Sequence, residues 1–125
     1  MARILVIEDN DAVRETFEII LQSAGHDLVV AKDGRDGLER LVSDPFDLVL
    51  TDIMMPKQGG VEVINQMRQS GHSAAILVVS GGARSARVDY LDLAKQLGAD
   101  AVMAKPVKTL ELLEMVDLLL VSRAG

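Results

Sequence analysis

Apolar runs of strand length recur along the chain at intervals of about 20–25 residues, at 4–7, 28–31, 48–51, 75–79 and 101–104. Each is too short for a helix. Their residues are apolar in succession rather than in alternation, the habit of strands covered on both faces in a parallel sheet. The stretches between them carry helical periodicity instead. Val13, Phe17, Ile20, Leu21 and Ala24 fall on one helix face, and Gly25 stands where a left-handed C-cap is expected. Asp9, Asn10 or Asp11 can cap the start of that helix. Residues 35–42 form a second helical stretch stopped before Pro45, 61–69 a third stopped at Gly71, and 88–97 a fourth stopped at Gly98. A last helix opens near Thr109, read as its N-cap with Glu111 in the first turn, and runs to about Val121. Five βα units in series predict an α/β fold with a parallel sheet and right-handed crossovers.

Composition narrows the picture. The 125 residues suit one domain spanning 1–125, and the final helix leaves little room for a second. The absence of cysteine excludes thiolate catalysis and cysteine-ligated zinc. A formal net charge of -6, from 19 acidic against 13 basic residues, argues against broad contact with a nucleic-acid backbone or an anionic membrane. The apolar run 4–7 ends at Glu8 and Asp9, so neither a secretory signal nor a membrane span fits, and a soluble cytoplasmic domain is expected.

Polar residues gather where the strands end, which is where open parallel sheets bind ligands. The first strand ends in Glu8 and Asp9, the third in Thr51 and Asp52, the fourth in Ser80 before Gly81 and Gly82, and the fifth in Lys105 before Pro106. Lys32 and Asp33, after the second strand, are expected to lie to one side. If the first and third strands are neighbours, Glu8, Asp9 and Asp52 meet at one rim. Two unit charges about 4 Å apart repel by about 4 kcal/mol at an effective dielectric of 20. Proton uptake, Lys105 or a divalent cation could relieve that repulsion, and an all-oxygen site with room for water suits magnesium. Beside positive charge, the Asp52 carboxylate is a competent nucleophile toward phosphorus. Ser80 adds a hydroxyl donor, Gly81 and Gly82 allow close backbone approach, and Lys105 supplies a long point charge. Met54, Met55 and Met103 are read as packing residues, Arg84 and Arg87 as a solvated turn, and His26 and His72 as exposed turn residues.

Four segments, ILVIEDN at 4–10, LVLTDIMMP at 48–56, ILVVSGG at 76–82 and GADAVMAKPV at 98–107, together resemble the response-regulator receiver domain of two-component signalling, here in stand-alone form. The resemblance covers essentially the whole chain. It implies a flavodoxin-like (βα)5 fold: a doubly wound, five-stranded parallel sheet in the order 2-1-3-4-5. It also implies a phosphoacceptor switch rather than an enzyme acting on a separate substrate. Asp52 would accept the phosphoryl group, with Ser80 and Lys105 completing the reactive set. Glu8, Asp9, Asp52 and the Met54 carbonyl would hold Mg2+, and the Lys105–Pro106 bond would be cis. The donor would be a histidine kinase or phosphotransfer protein, and the output a contact with a downstream protein rather than with nucleic acid or membrane. Two features depart from the family pattern. Val102 stands where an aromatic switch residue is usual, and the stretch between Ser80 and Lys105 is long, which would route the output through residues 81–97. A phosphatase on the same fold would carry a second aspartate where Met54 stands. A flavin or nucleotide carrier would place a phosphate-binding turn where Glu8, Asp9 and Asn10 stand. A receiver-like binding module would not need the full acid, hydroxyl and lysine set.

Overall fold

The computed structural model describes residues 2–53, 59–80, 92, 96 and 98–124. Along them run β1 (Arg3–Ile7), α1 (Asp11–Ser23), β2 (Asp27–Ala31), α2 (Gly34–Ser43), β3 (Leu48–Asp52), α3 (Gly60–Gln69), β4 (Ala75–Ser80), β5 (Ala101–Ala104) and a C-terminal helix (Thr109–Ala124). The strands pair in parallel in the order β2-β1-β3-β4-β5, as the resemblance implies. Ile7 lies between Ala31 and Thr51, Asp52 beside Val79, and Ser80 beside Ala104. The chain winds outward from β1 to β2, then returns to β3 on the other side. The loops after β1 and β3 therefore diverge and leave a crevice at the carboxyl end of the sheet.

Alternate side chains of each strand serve opposite faces. Ile4, Val6, Leu48, Leu50, Leu77 and Val79 meet Phe17 and Leu21 of α1 and Leu112, Val116 and Leu119 of the C-terminal helix. Leu5, Ile7, Val49, Ile76 and Val78 meet Val63, Ile64 and Met67 of α3 on the other face, with Leu38 and Leu41 of α2 alongside. This two-sided burial explains the uninterrupted apolar runs, each fully buried aliphatic side chain contributing about 1.5–3 kcal/mol. Helix α2 lies so close to β1 that a Cβ on Gly37 would fall 2.3 Å from Ile7 Cδ1.

Local chemistry fixes where the helices start and stop. Asn10 is the cap of α1, its side chain accepting from the Val13 amide at 3.0 Å. Asp33 caps α2, accepting from the Asp36 amide at 2.8 Å, while Asp36 accepts from the Lys32 amide at 3.3 Å. The acid after β2 thus caps a helix at the sheet's edge, away from the crevice. Gly25 adopts φ +92°, and the amides of Gly25 and His26 donate back to the Gln22 and Leu21 carbonyls, completing a Schellman turn. Gly71 and His72 repeat it after α3.

The same turns correct the reading of the histidines. Each turn folds the chain back under its helix, so His26 and His72 are half-buried rather than exposed. Each Nδ1 accepts a backbone amide at 3.2 Å, from Ala2 and Ala74 respectively. The last helix also starts and ends differently. Thr109 is its first helical residue rather than its cap, because the Lys108 carbonyl already accepts the Leu112 amide, and the helix continues to Ala124. Met103 packs against the core as expected. Of the expected fourth helix, Asp92 and Gln96 are helical. Met54, Met55, Gly81, Gly82, Arg84, Arg87 and the rest of 81–97 lie outside the described residues. Among the described residues, no helix is long and apolar enough to cross a membrane.

Candidate functional site

Strands β1 and β3 are central, so residues at their carboxyl ends enter the crevice already partly desolvated. Glu8, immediately after β1, is 1 % exposed, and Asp52, the last residue of β3, is 6 % exposed. Asp9 is exposed at the mouth. Carboxylate oxygens of these three residues lie within 4.8 Å of one another. Lys105 reaches in from the end of β5, after which the Lys105–Pro106 peptide is cis. Its Nζ donates to Glu8 Oε1 at 2.7 Å and to Asp52 Oδ2 at 2.9 Å. The second Glu8 oxygen accepts the Asn10 amide at 3.2 Å. Ser80 ends β4 at the same rim, its backbone beside Ala104; its side chain, like Met54, lies outside the described residues.

Burial and neighbouring charges both act on the titration of the site. Burial pushes the Glu8 carboxyl above its ordinary value; the hydrogen bonds from Lys105 and Asn10 oppose the rise, and the Asp52 charge adds to it. Burial alone would lower Lys105, but its hydrogen bonds to Asp52 and Glu8, with their charges, hold it above its ordinary value. The bridging Lys105 thus relieves repulsion between the two carboxylates at this rim. An all-carboxylate donor set of this kind also fits a hard divalent cation such as magnesium.

Three supports were not foreseen from sequence. Arg14, one turn into α1, donates from Nη1 to the Glu8 carbonyl at 3.0 Å and pairs with Asp11, tying the end of β1 to the helix after it. Thr51 is fully buried, and its hydroxyl donates to the Asp52 carbonyl at 2.9 Å. Gly60 opens α3 one peptide further on, its amide donating to the Ile53 carbonyl at 3.0 Å. A polar residue closing an otherwise aliphatic strand and two glycines opening a helix were the available signals.

Comparison with known proteins agrees with this geometry. Response regulator MprA of Mycolicibacterium vanbaalenii is 40 % identical over 119 residues, which are 94 % of this chain and 50 % of MprA. Transcriptional regulatory protein DltR of Streptococcus agalactiae is 36 % identical over 117 residues, 93 % of this chain and 50 % of DltR. The chain thus spans about half the length of these curated relatives. Among solved structures, a CheY-like receiver domain protein from Methanospirillum hungatei superposes with a TM-score of 0.91 at 27 % identity, covering 99 % of this chain and 97 % of that one. Chemotaxis protein CheY4 of Vibrio cholerae superposes at 0.83 with 26 % identity, covering 95 % and 98 %. Residues 4–117 match the response regulator receiver domain over nearly the whole described sheet and its helices, and the chain belongs to that family.

Proposed function

We propose that this chain is a phosphoacceptor signalling switch, with Asp52 accepting a phosphoryl group from a phosphohistidine on a histidine kinase or phosphotransfer protein. The observation that carries the reading is Lys105 Nζ held between Glu8 and Asp52 in a buried acidic crevice. An Asp52 carboxylate oxygen forms the new O–P bond as the donor's N–P bond breaks, and the imidazole nitrogen departs with the electron pair. Glu8, Asp9 and Asp52, with the Met54 carbonyl, would hold Mg2+, whose positive charge would offset the negative charge of the phosphoryl oxygens. Lys105 would exchange its hold on Glu8 for one on the incoming phosphoryl group, and the Ser80 hydroxyl would donate a hydrogen bond to it. The phosphorylated form then signals through contact with a downstream protein.

In this reading residues 1–125 form one cytoplasmic receiver domain that turns over no separate substrate. The net charge of -6 favours protein partners over nucleic acid or an anionic membrane. The test is incubation with acetyl phosphate and Mg2+, followed by intact mass. One added phosphoryl group that disappears with chelator, and in Asp52→Asn, is expected. Equal labelling in Asp52→Asn, or with the metal chelated, would refute the assignment.

A further inference from the structure

The reactive carboxylate has a side-chain partner in Lys105, but its position depends first on the backbone that carries it. That backbone is gripped at two successive peptides. The Ile53 amide donates to the Val79 carbonyl at 3.3 Å, extending the β3–β4 ladder one residue past the strand. The Asp52 carbonyl accepts the Thr51 hydroxyl at 2.9 Å. The next peptide is held by α3, where the Ile53 carbonyl accepts the Gly60 amide at 3.0 Å. The fit at Gly60 leaves no slack. A Cβ there would fall 2.4 Å from the Asp52 carbonyl oxygen, 2.7 Å from Ile53 Cα and 3.1 Å from the Asp52 carbonyl carbon. All three are main-chain atoms, so no flexible side chain can swing away to make room. A Cβ on Gly59 would also sit tightly, 3.2 Å from the Ile53 carbonyl oxygen.

We infer that Thr51 and Gly60 are positioning residues for Asp52: together they clamp the Asp52–Ile53 peptide between the β3 hydroxyl and the first turn of α3, and so set the depth of the carboxylate beneath Lys105. Neither touches the carboxylate itself. Their effect passes through the main chain. Thr51 is fully buried and spends its hydroxyl on this one carbonyl rather than on a distant element. A methyl group at Gly60 must move α3 or the end of β3 by about 1 Å to restore ordinary contact, and a misplacement of that size costs up to about a hundredfold in a positioned reaction.

The inference rests on the phosphoacceptor reading for its kinetic readout alone; the carboxylate's position can be read without it. The full chain is prepared as wild type, Gly60→Ala, Thr51→Val, Thr51→Ser and Leu21→Ala, the last a core substitution on the other face of the sheet. Two quantities are measured: the Asp52 carboxyl carbon resonance in metal-free protein, and the initial rate of labelling by acetyl phosphate with Mg2+. Gly60→Ala is expected to move the resonance and slow labelling by about ten- to a hundredfold. Thr51→Val should move the same resonance and slow labelling about fivefold, the scale of one neutral hydrogen bond. Thr51→Ser should restore both, and Leu21→Ala should lower the melting temperature and leave both unchanged. A Gly60→Ala protein that melts early yet keeps the wild-type resonance and rate overturns the inference. If Gly60→Ala does not fold, Thr51→Val decides: wild-type values there overturn it. If wild type itself is not labelled, the phosphoacceptor reading falls and the resonance still decides the clamp.

Discussion

The two ends of the sheet use the same residue types in opposite ways. At the amino end, acids bind backbone and arginine. Asp47 accepts the Arg3 amide at 2.9 Å, and Arg3 pairs with Asp44 at 3.4 Å while lying over the Phe46 ring. Asp100 accepts the Ile76 amide at 2.7 Å and Arg68 Nη2 at 3.0 Å. Arg68 also donates to the Gly98 carbonyl from Nε at 3.1 Å and from Nη2 at 2.7 Å. These groups are half-open to solvent and staple loops to strands. At the carboxyl end, Glu8 and Asp52 meet in a buried crevice and both accept Lys105 Nζ. A polar residue at a strand end is therefore weak evidence of a site by itself. What distinguishes a site is like charge gathered in a desolvated place.

The sharpest test of that contrast exchanges one acid at each end. Asp52→Asn should abolish phosphoryl labelling, whereas Asp100→Asn should label at the wild-type rate with a lowered melting temperature; intact mass and calorimetry read the two. Loss of labelling in Asp100→Asn would dissolve the distinction. Next in size, Arg68→Ala removes the clamp on Gly98 and Asp100. It should cost about 2 kcal/mol, a figure discounted because a third of the side chain is solvent-exposed, or about 8 °C in melting temperature, with labelling retained.

A smaller effect of opposite sign is expected at Glu8. Its carboxyl titrates above the ordinary 4.5. A raised folded value means that its stabilising contribution is complete below pH 4.5 and is lost as the pH rises through the folded value. Glu8→Gln, neutral throughout, should therefore melt a few degrees higher than metal-free wild type at pH 7, and the gain should vanish below pH 4.5. A Glu8→Gln protein that melts lower at neutral pH would show that Lys105 already satisfies the site. The smallest effect belongs to the exposed Arg35–Glu39 pair at 3.9 Å, where Arg35→Ala should shift the melting temperature by no more than about 2 °C.

Much of this was legible in the order of residues. The strands appear as apolar runs because both faces of the sheet are covered, and each observed strand begins or ends within one residue of its run. The acids were legible because the sheet is parallel: every carboxyl end points the same way, so Glu8, Asp52 and Lys105 had to share a rim. What escaped is what depends on approach distances. Thr51 sits at a strand end like Asp52, and only the packed structure shows its hydroxyl turned onto a neighbouring carbonyl rather than into the crevice. Gly59 and Gly60 look like any glycine pair in the sequence, and only the packing of α3 on main-chain atoms gives them a role. Thr109 satisfied the capping preference, yet Lys108 provides the first helical carbonyl, since a preference of about 1 kcal/mol yields to the path the chain takes out of β5.

Lys105 is carried by the slightest strand of the five. Strand β5 has four residues, none of them fully buried, and among the described residues pairs with β4 alone, whereas Glu8 and Asp52 extend strands flanked on both sides. Local opening is cheapest where ladder bonds are few and solvent is near. Amide protons of 101–104 should therefore exchange with deuterium well before those of β1 and β3. Each such excursion withdraws the crevice's lysine while its acids stay in place. Among the described residues of the crevice, the acids are thus the anchored groups and Lys105 the one expected to detach first.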